Sequence, residues 1–372
     1  MKYNQEILQR LFQAYFDARS NKRSKNSQVA FEWQLEKYVF ELYDELVAKT
    51  YEPGSSICFI VEEPVKREIF AADFRDRVVH HFIYNILSPL VEKVFLHDVY
   101  SCRKGKGTLF GVKRAYGHLQ SVTRNFKESA YVMKLDIAGY FMSMNKDILF
   151  LKAKELLDKN EVHLPVQSNM LAYLVKRNIF HNPTSNCRFQ SSKKMWSGLP
   201  VNKSLFTAQP NCGLPIGNLT SQLYGNLYLN DFDHYVKNEL KIKHYGRYVD
   251  DFYLMHKDKE ILINAKNKII ERLKEVEKLD VHPHKIFLQK SDNGFSFLGI
   301  FILPHRRYVG KRIKHGLYES LSNVLNAKND ENKIKEMNRH ISYRGFLKHH
   351  NCKRLGWEVN LLFDYSKCKF VM

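Results

Sequence analysis

The run His244-Tyr245-Gly246-Arg247-Tyr248-Val249-Asp250-Asp251-Phe252-Tyr253-Leu254-Met255-His256 limits what this chain can fold into more than any other stretch. Tyr245, Tyr248, Val249, Phe252, Tyr253 and Leu254 are strand formers, whereas adjacent acids in the middle of such a run belong at a turn. The run therefore predicts a β-hairpin with Asp250 and Asp251 at its tip. Two neighbouring anions repel unless cations or solvent neutralise them. By itself such a pair also fits a plain solvated turn.

A third carboxylate narrows the choice. Tyr131-Val132-Met133-Lys134-Leu135-Asp136-Ile137 is a second apolar run ending on an acid, and Ala138-Gly139 suits a close backbone turn before Tyr140-Phe141. Three carboxylates at the ends of two adjacent strands would form an oxygen cage for two Mg²⁺ ions about 3.5–4 Å apart, which activate a hydroxyl and stabilise departing pyrophosphate.

Lys plus Arg exceeds Asp plus Glu by 59 − 39 = 20, which points to a polyanionic partner, nucleic acid or an anionic membrane surface. At 372 residues, 44% hydrophobic and 26% charged, the chain is globular in composition with room for two or three subdomains. No run approaches 18 apolar residues and the first residues lack a secretory core, so a cytoplasmic protein without a membrane partner is expected. Cys58, Cys102, Cys187, Cys212, Cys352 and Cys368 are scattered without a C-x-x-C pair and read as reduced.

Along the chain, Ile7, Leu8, Leu11, Phe12, Tyr15 and Phe16 repeat at helical spacing, a basic break follows over Arg19–Asn26, and a second helix is expected from Phe31 to Val47. Four cations in Pro64–Arg77 are either surface ion pairs or a clamp for phosphoryl oxygens. Ser101-Cys102-Arg103-Lys104-Gly105-Lys106-Gly107-Thr108 is glycine-rich and basic but lacks the spacing of a Walker loop. Asn145 is placed to cap a helix reaching Leu157. The stretch Asn178–Asn211 reads as loop, and Gly213–Gln222 as a turn opening into a helix through Leu219, Leu223 and Leu227. Leu262, Ala265, Ile269, Leu273 and Val276 trace another helix. His282 and His284 lack a third metal ligand. Phe295–Ile302 is a strand pair or a bent strand, and the remainder is basic and mostly helical.

The strand ending in Asp136 followed by a Tyr-Val-Asp-Asp hairpin resembles the palm of reverse transcriptases, and the similarity runs in order along nearly the whole chain. Ser101–Thr108, Lys203-Ser204-Leu205-Phe206 and Leu214-Pro215-Ile216-Gly217-Asn218-Leu219-Thr220-Ser221-Gln222 are similar to the bacterial enzymes of diversity-generating retroelements. Most reverse transcriptases read Gln-Gly-x-x-x-Ser-Pro in the last run. The resemblance implies an α+β right-hand polymerase fold: a helical N-terminal extension over 1–54, fingers and ferredoxin-like palm over 55–305, and a mainly helical thumb over 306–372.

It further implies RNA-directed DNA synthesis from dNTPs on an RNA template and a DNA or RNA primer, with two Mg²⁺ ions for which Mn²⁺ can substitute. Asp136, Asp250 and Asp251 would be the catalytic, metal-binding acids, and Phe141 a gate against the ribose 2′-hydroxyl. Lys66, Arg67 and Arg75 resemble triphosphate-binding residues, and Lys285 a general acid near pyrophosphate. Ile216 and Gln222 would lie by the incoming nucleotide; Phe297-Leu298-Gly299 looks like the primer grip. In that branch copying is error-prone at adenines, the cDNA replaces a variable repeat, and a small basic oligomeric accessory protein takes part. An antiphage-defence or retron-like enzyme, and a silent RNA-binding scaffold on the same fold, are the competing readings.

Overall fold

A computed structural model describes residues 4–20, 26–63, 65–327 and 329–360. In chain order, helices α1 (Gln5–Arg19), α2 (Asn26–Trp33) and α3 (Leu35–Ala48) precede strands β1 (Ser56–Val61) and β2 (Arg67–Ala72). Helices α4 (Phe74–Val94) and α5 (Thr108–Val122) lead to β3 (Tyr131–Asp136), then α6 (Tyr140–Ser143), α7 (Lys146–Lys159) and α8 (Ser168–Phe180). Next come β4 (Cys187–Phe189), α9 (Leu219–Tyr228), α10 (Asn230–His234), β5 (His244–Tyr248), β6 (Asp251–His256) and α11 (Lys259–Glu275). They are followed by β7 (Phe287–Lys290), β8 (Phe295–Phe297), β9 (Ile300–Leu303), β10 (Arg306–Val309), α12 (Lys311–Asn326) and α13 (Asp330–Lys348).

These elements form two units interleaved along the chain: Met1–Cys102, Asp136–Leu240 and Asn267–His284 in one, Arg103–Leu135, Lys241–Lys266 and Lys285–Met372 in the other. In the first, the N-terminal helices share a core with α4, where the ring of Phe74 lies 6.3 Å from Tyr15 and 5.3 Å from Phe31. The N-terminal stretch is thus part of this unit's packing. Strands β1 and β2 pair antiparallel, and β4 adds in parallel to the other edge of β1.

The second unit carries a four-stranded sheet in the order β5-β6-β3-β7 and a three-stranded sheet in the order β10-β9-β8. Because Val309 to Arg306 pair with Ile300 to Leu303, a boundary at residue 305 divides a hairpin. Helices α12 and α13 pack as a pair around Leu317, Leu321 and Tyr343.

Some expectations shift. The helix expected over Phe31–Val47 is interrupted at Gln34, between α2 and α3. Phe16 is exposed although Ile7, Leu11 and Tyr15 of the same helix are buried. The loop-like stretch after Phe180 contains β4 and several 3₁₀ turns. Residues 21–25 of the basic break, Pro64, and Cys368 with the rest of 361–372 lie outside the described residues. The described cysteines are free thiols. Among the described residues no helix is long and apolar enough to cross a membrane.

One buried histidine makes stability pH-dependent. His80 on α4 is 7% exposed, its Nδ1 lying 2.7 Å from Thr220 Oγ1 and 3.1 Å from Asn178 Nδ2. Burial, with His181, His81 and Arg77 nearby, lowers its pKa to about 3. The folded protein keeps this ring neutral while the unfolded chain binds a proton below about pH 6.5, so stability falls as pH drops through that value towards 3. Burial lowers His181 as well, with the same sign. Burial raises the Asp76 carboxyl, so its protonation in the folded state offsets part of the loss at the acid end. Denaturant titrations between pH 7 and pH 5 should show a slope approaching about 1.4 kcal/mol per pH unit from His80. His80→Gln should flatten it, and an unchanged slope would refute the assignment.

Candidate active site

Strands β5 and β6 place Tyr248 opposite Asp251, leaving Val249 and Asp250 as the two turn residues. Val249 has φ 59°, a left-handed conformation unfavourable for a β-branched side chain. Its carbonyl accepts a 2.9 Å hydrogen bond from Nη1 of Arg247, whose side chain is fully buried. A guanidinium anchored inside the strand thus restrains the turn that carries Asp250.

Asp251 opens β6 and is ion-paired with Lys134 on β3, Nζ to Oδ1 3.3 Å. The same Nζ lies 5.8 Å from the ring centroid of Phe297. This cation offsets the repulsion expected of adjacent acids. Strand alternation puts Lys134 on the same face of β3 as Asp136, the strand's last residue. The carbonyl of Asp136 accepts the His282 amide at 2.8 Å, and the Ala138 amide donates to the Asp280 carbonyl at 2.8 Å. The backbone is thereby fixed just where the acid projects.

Carboxylate oxygens such as those of Asp250 and Asp251 suit a hard cation such as Mg²⁺. Among the described residues, however, no group of three or more His, Cys, Asp and Glu closes into a metal-holding set. A Mg²⁺ ion is commonly bound by one or two carboxylates, with substrate phosphates and water supplying the other oxygens.

Phe297-Leu298-Gly299 is a hairpin: Phe297 pairs with Ile300, and Leu298 and Gly299 form the turn with φ 50° and 84°. Positive φ at both central residues is the tight-hairpin geometry whose twist matches the flanking strands. Phe297 itself is buried, with its ring 5.0 Å from Tyr253, so it serves the core and only the turn residues are partly accessible. Lys285 is exposed on the 3₁₀ turn Pro283–Lys285.

In the first unit, Phe141 lies on α6 against α9, where a Cβ on Gly225 would stand 3.3 Å from its ring. Ile216 joins Phe141 around the apolar cluster of Cys58, Phe70, Met142 and Leu205. The Ile216 carbonyl accepts the Phe70 amide at 2.8 Å. Gly217 follows with φ 122°, and a Cβ there would meet the Phe70 carbonyl oxygen at 2.8 Å. Only glycine permits this close approach of the turn to β2. Gln222 is exposed in the first turn of α9.

The three basic candidates separate. Lys66 Nζ donates to the Ser197 carbonyl at 2.8 Å, and Arg67 is exposed at the start of β2. Arg75 pairs with Glu45, lies 3.8 Å from Asp76, and stacks 5.4 Å from the Tyr51 ring centroid. Its guanidinium joins α4 to α3.

Glu68, Lys134 and Arg247 went unassigned in the sequence. Glu68 on β2 is fully buried; it accepts from Trp196 Nε1 at 2.6 Å, Ser204 Oγ at 2.8 Å and the Leu205 amide at 2.6 Å. This explains the Lys203-Ser204-Leu205-Phe206 run as a clasp on β2. The period-two placement of Lys134 beside Asp136 was the available signal for that residue.

Telomerase from Candida albicans in complex with the TWJ fragment of telomeric RNA is structurally similar, with 12% identity and a TM-score of 0.49 over 86% of this chain and 58% of that one. Apo telomerase from Candida tropicalis gives 12% identity and 0.49 over 80% and 58%. The chain thus spans less than two thirds of the length of these structures. No curated protein matches the sequence. The family profile described as reverse transcriptase (RNA-dependent DNA polymerase) matches residues 66–302, more than half of the chain. The α+β polymerase fold and the Tyr-Val-Asp-Asp hairpin accordingly place this chain in the reverse transcriptase family.

Proposed function

We propose that the protein makes cDNA by template-directed nucleotidyl transfer on RNA, as the adenine-mutagenic enzyme of a diversity-generating retroelement. The observation that carries the polymerase reading is the Asp250-Asp251 hairpin in one sheet with β3, which ends on Asp136. Asp136 and Asp250 would hold Mg²⁺, with Asp251 the third acid. When bound, the ions supply the Lewis acidity that eases loss of the primer 3′-hydroxyl proton and stabilises pyrophosphate. Base pairing supplies the sequence information, so the protein needs backbone contacts more than base readout.

Phe141 excludes a 2′-hydroxyl by bulk. Lys66 and Arg67 face the triphosphate, Lys285 donates a proton to the departing pyrophosphate, and the Leu298-Gly299 turn supports the primer. Arg75 is left out of this set because its guanidinium is held by Glu45.

The finer reading rests on Ile216 and on its surroundings of Phe141, Phe70 and Met142. An apolar side chain there cannot hydrogen-bond a nascent pair, which relaxes discrimination. Primer extension on a mixed-base RNA template, followed by product sequencing, should show errors concentrated opposite adenines. Ile216→Gln should lower that error rate about two- to tenfold, the span of one hydrogen bond of about 0.5–1.5 kcal/mol. An unchanged spectrum would reject the role of Ile216, and faithful wild-type copying would redirect the pathway to defence.

A further inference from the structure

Between Glu161 and Asp231 the chain has no carboxylate side chain, while Arg188, Lys193, Lys194 and Lys203 all fall in that interval. Its middle part folds onto β1 and exposes two aromatic rings. Phe189 and Phe206 are each 41% exposed and stack with centroids 5.7 Å apart at 13°. Trp196 meets Phe189 edge-on at 5.3 Å, and Lys193 Nζ lies 5.6 Å from the Phe189 centroid. Arg188, Lys194 and Lys203 are exposed as well.

Isolated apolar residues on a surface need no explanation, but these rings are held in place. Phe189 pairs in register with Cys58, and the next residue, Gln190, donates its amide to the Cys58 carbonyl at 2.8 Å. Phe206 follows Leu205, whose amide is fixed to buried Glu68. Beneath Phe206 lies buried Phe70, with centroids 5.6 Å apart. The rings are therefore ordered before anything binds, with cations around them and no acid in the segment.

We propose that Phe189 and Phe206 form a stacking platform for unpaired RNA bases, with Arg188, Lys193, Lys194 and Lys203 taking the adjoining phosphates. Aromatic faces accept any base, so the platform holds a single strand without reading its sequence. The segment's own charged side chains are all cations, which match a phosphate backbone better than a protein partner. Binding here does not depend on the polymerase reading, because it needs neither dNTPs nor metal.

The test is fluorescence anisotropy of the full chain with a labelled 20-nucleotide oligouridine and with a duplex RNA of the same length. Phe189→Ala with Phe206→Ala should weaken oligouridine binding about 25-fold or more, taking about fivefold per lost base stack as the lower limit, and leave duplex binding within about twofold. Phe189→Leu with Phe206→Leu retains apolar bulk and controls for folding; it should also lose affinity while keeping the melting temperature. Lys193→Gln with Lys194→Gln should reduce the salt slope by about 1.4. Unchanged oligouridine affinity in the Leu pair, or equal losses for both RNAs, would overturn the platform.

Discussion

Asp250→Asn is expected to lower the primer-extension rate at least about a thousandfold, a loss of about 4 kcal/mol in transition-state stabilisation. The substitution is nearly isosteric and lies in a two-residue turn, so the melting temperature should stay within about 2 °C. What changes is charge: a neutral amide is a poor ligand for Mg²⁺, the ion that would offset the charge of departing pyrophosphate. Asp251→Asn should cost less, about ten- to a hundredfold, because Asp251 is ion-paired with Lys134 at 3.3 Å and that pair satisfies part of its charge within the protein. Single-nucleotide extension at saturating Mg²⁺, with melting curves for each variant, gives both numbers. More than a tenth of the wild-type rate in Asp250→Asn would remove the acid from the chemistry. A larger loss in Asp251→Asn than in Asp250→Asn would reverse the roles assigned to the two acids.

The Asp250-Asp251 hairpin was legible because two local rules agree there: aromatic and β-branched residues favour strands, and adjacent acids favour the turn between them. Asn145 was legible for the same kind of reason, and its side chain accepts the Asp147 and Ile148 amides at 3.0 Å each. The close turn at Gly139 also holds, with φ 55° and a Cβ position only 2.7 Å from the Asn202 carbonyl oxygen. Strand β4 was illegible because three residues carry no period, and its partner strand β1 is remote in sequence. The partner of Arg75 was illegible because a cation in a basic run does not disclose Glu45 on another helix. The burial of Phe297 was illegible in a similar way: a motif names a residue, but only tertiary packing against Tyr253 shows that its ring belongs to the core.

Glu68 is the clearest case of chemistry hidden by local context, and replacing it has the second large effect expected here. In sequence it sits unassigned among cations; in the fold it is a fully buried acceptor for three donors 128 to 137 positions away. Glu68→Ala removes the acceptor and leaves Trp196 Nε1, Ser204 Oγ and the Leu205 amide without it. At about 1–3 kcal/mol for an unsatisfied buried group, and with the Ser204 hydroxyl able to rotate away, the net cost should be about 3–5 kcal/mol. Glu68→Gln should cost about 1–2 kcal/mol. Its single oxygen can serve the two donors on Oε2, but the amide group then faces the Leu205 N–H donor. Denaturant unfolding should therefore rank Glu above Gln above Ala, with a fall in melting temperature of about 6–10 °C for the Ala variant. Trp33 and Trp357 are 86% and 65% exposed, so a red shift of the emission from the least exposed tryptophan would report on half-buried Trp196. An Ala variant within about 1 kcal/mol of wild type would show that the clasp carries little of the stability. Because the Leu205 amide anchors Phe206, the same variant should also weaken oligouridine binding below global unfolding, joining the fold of β2 to the proposed RNA surface through one carboxylate.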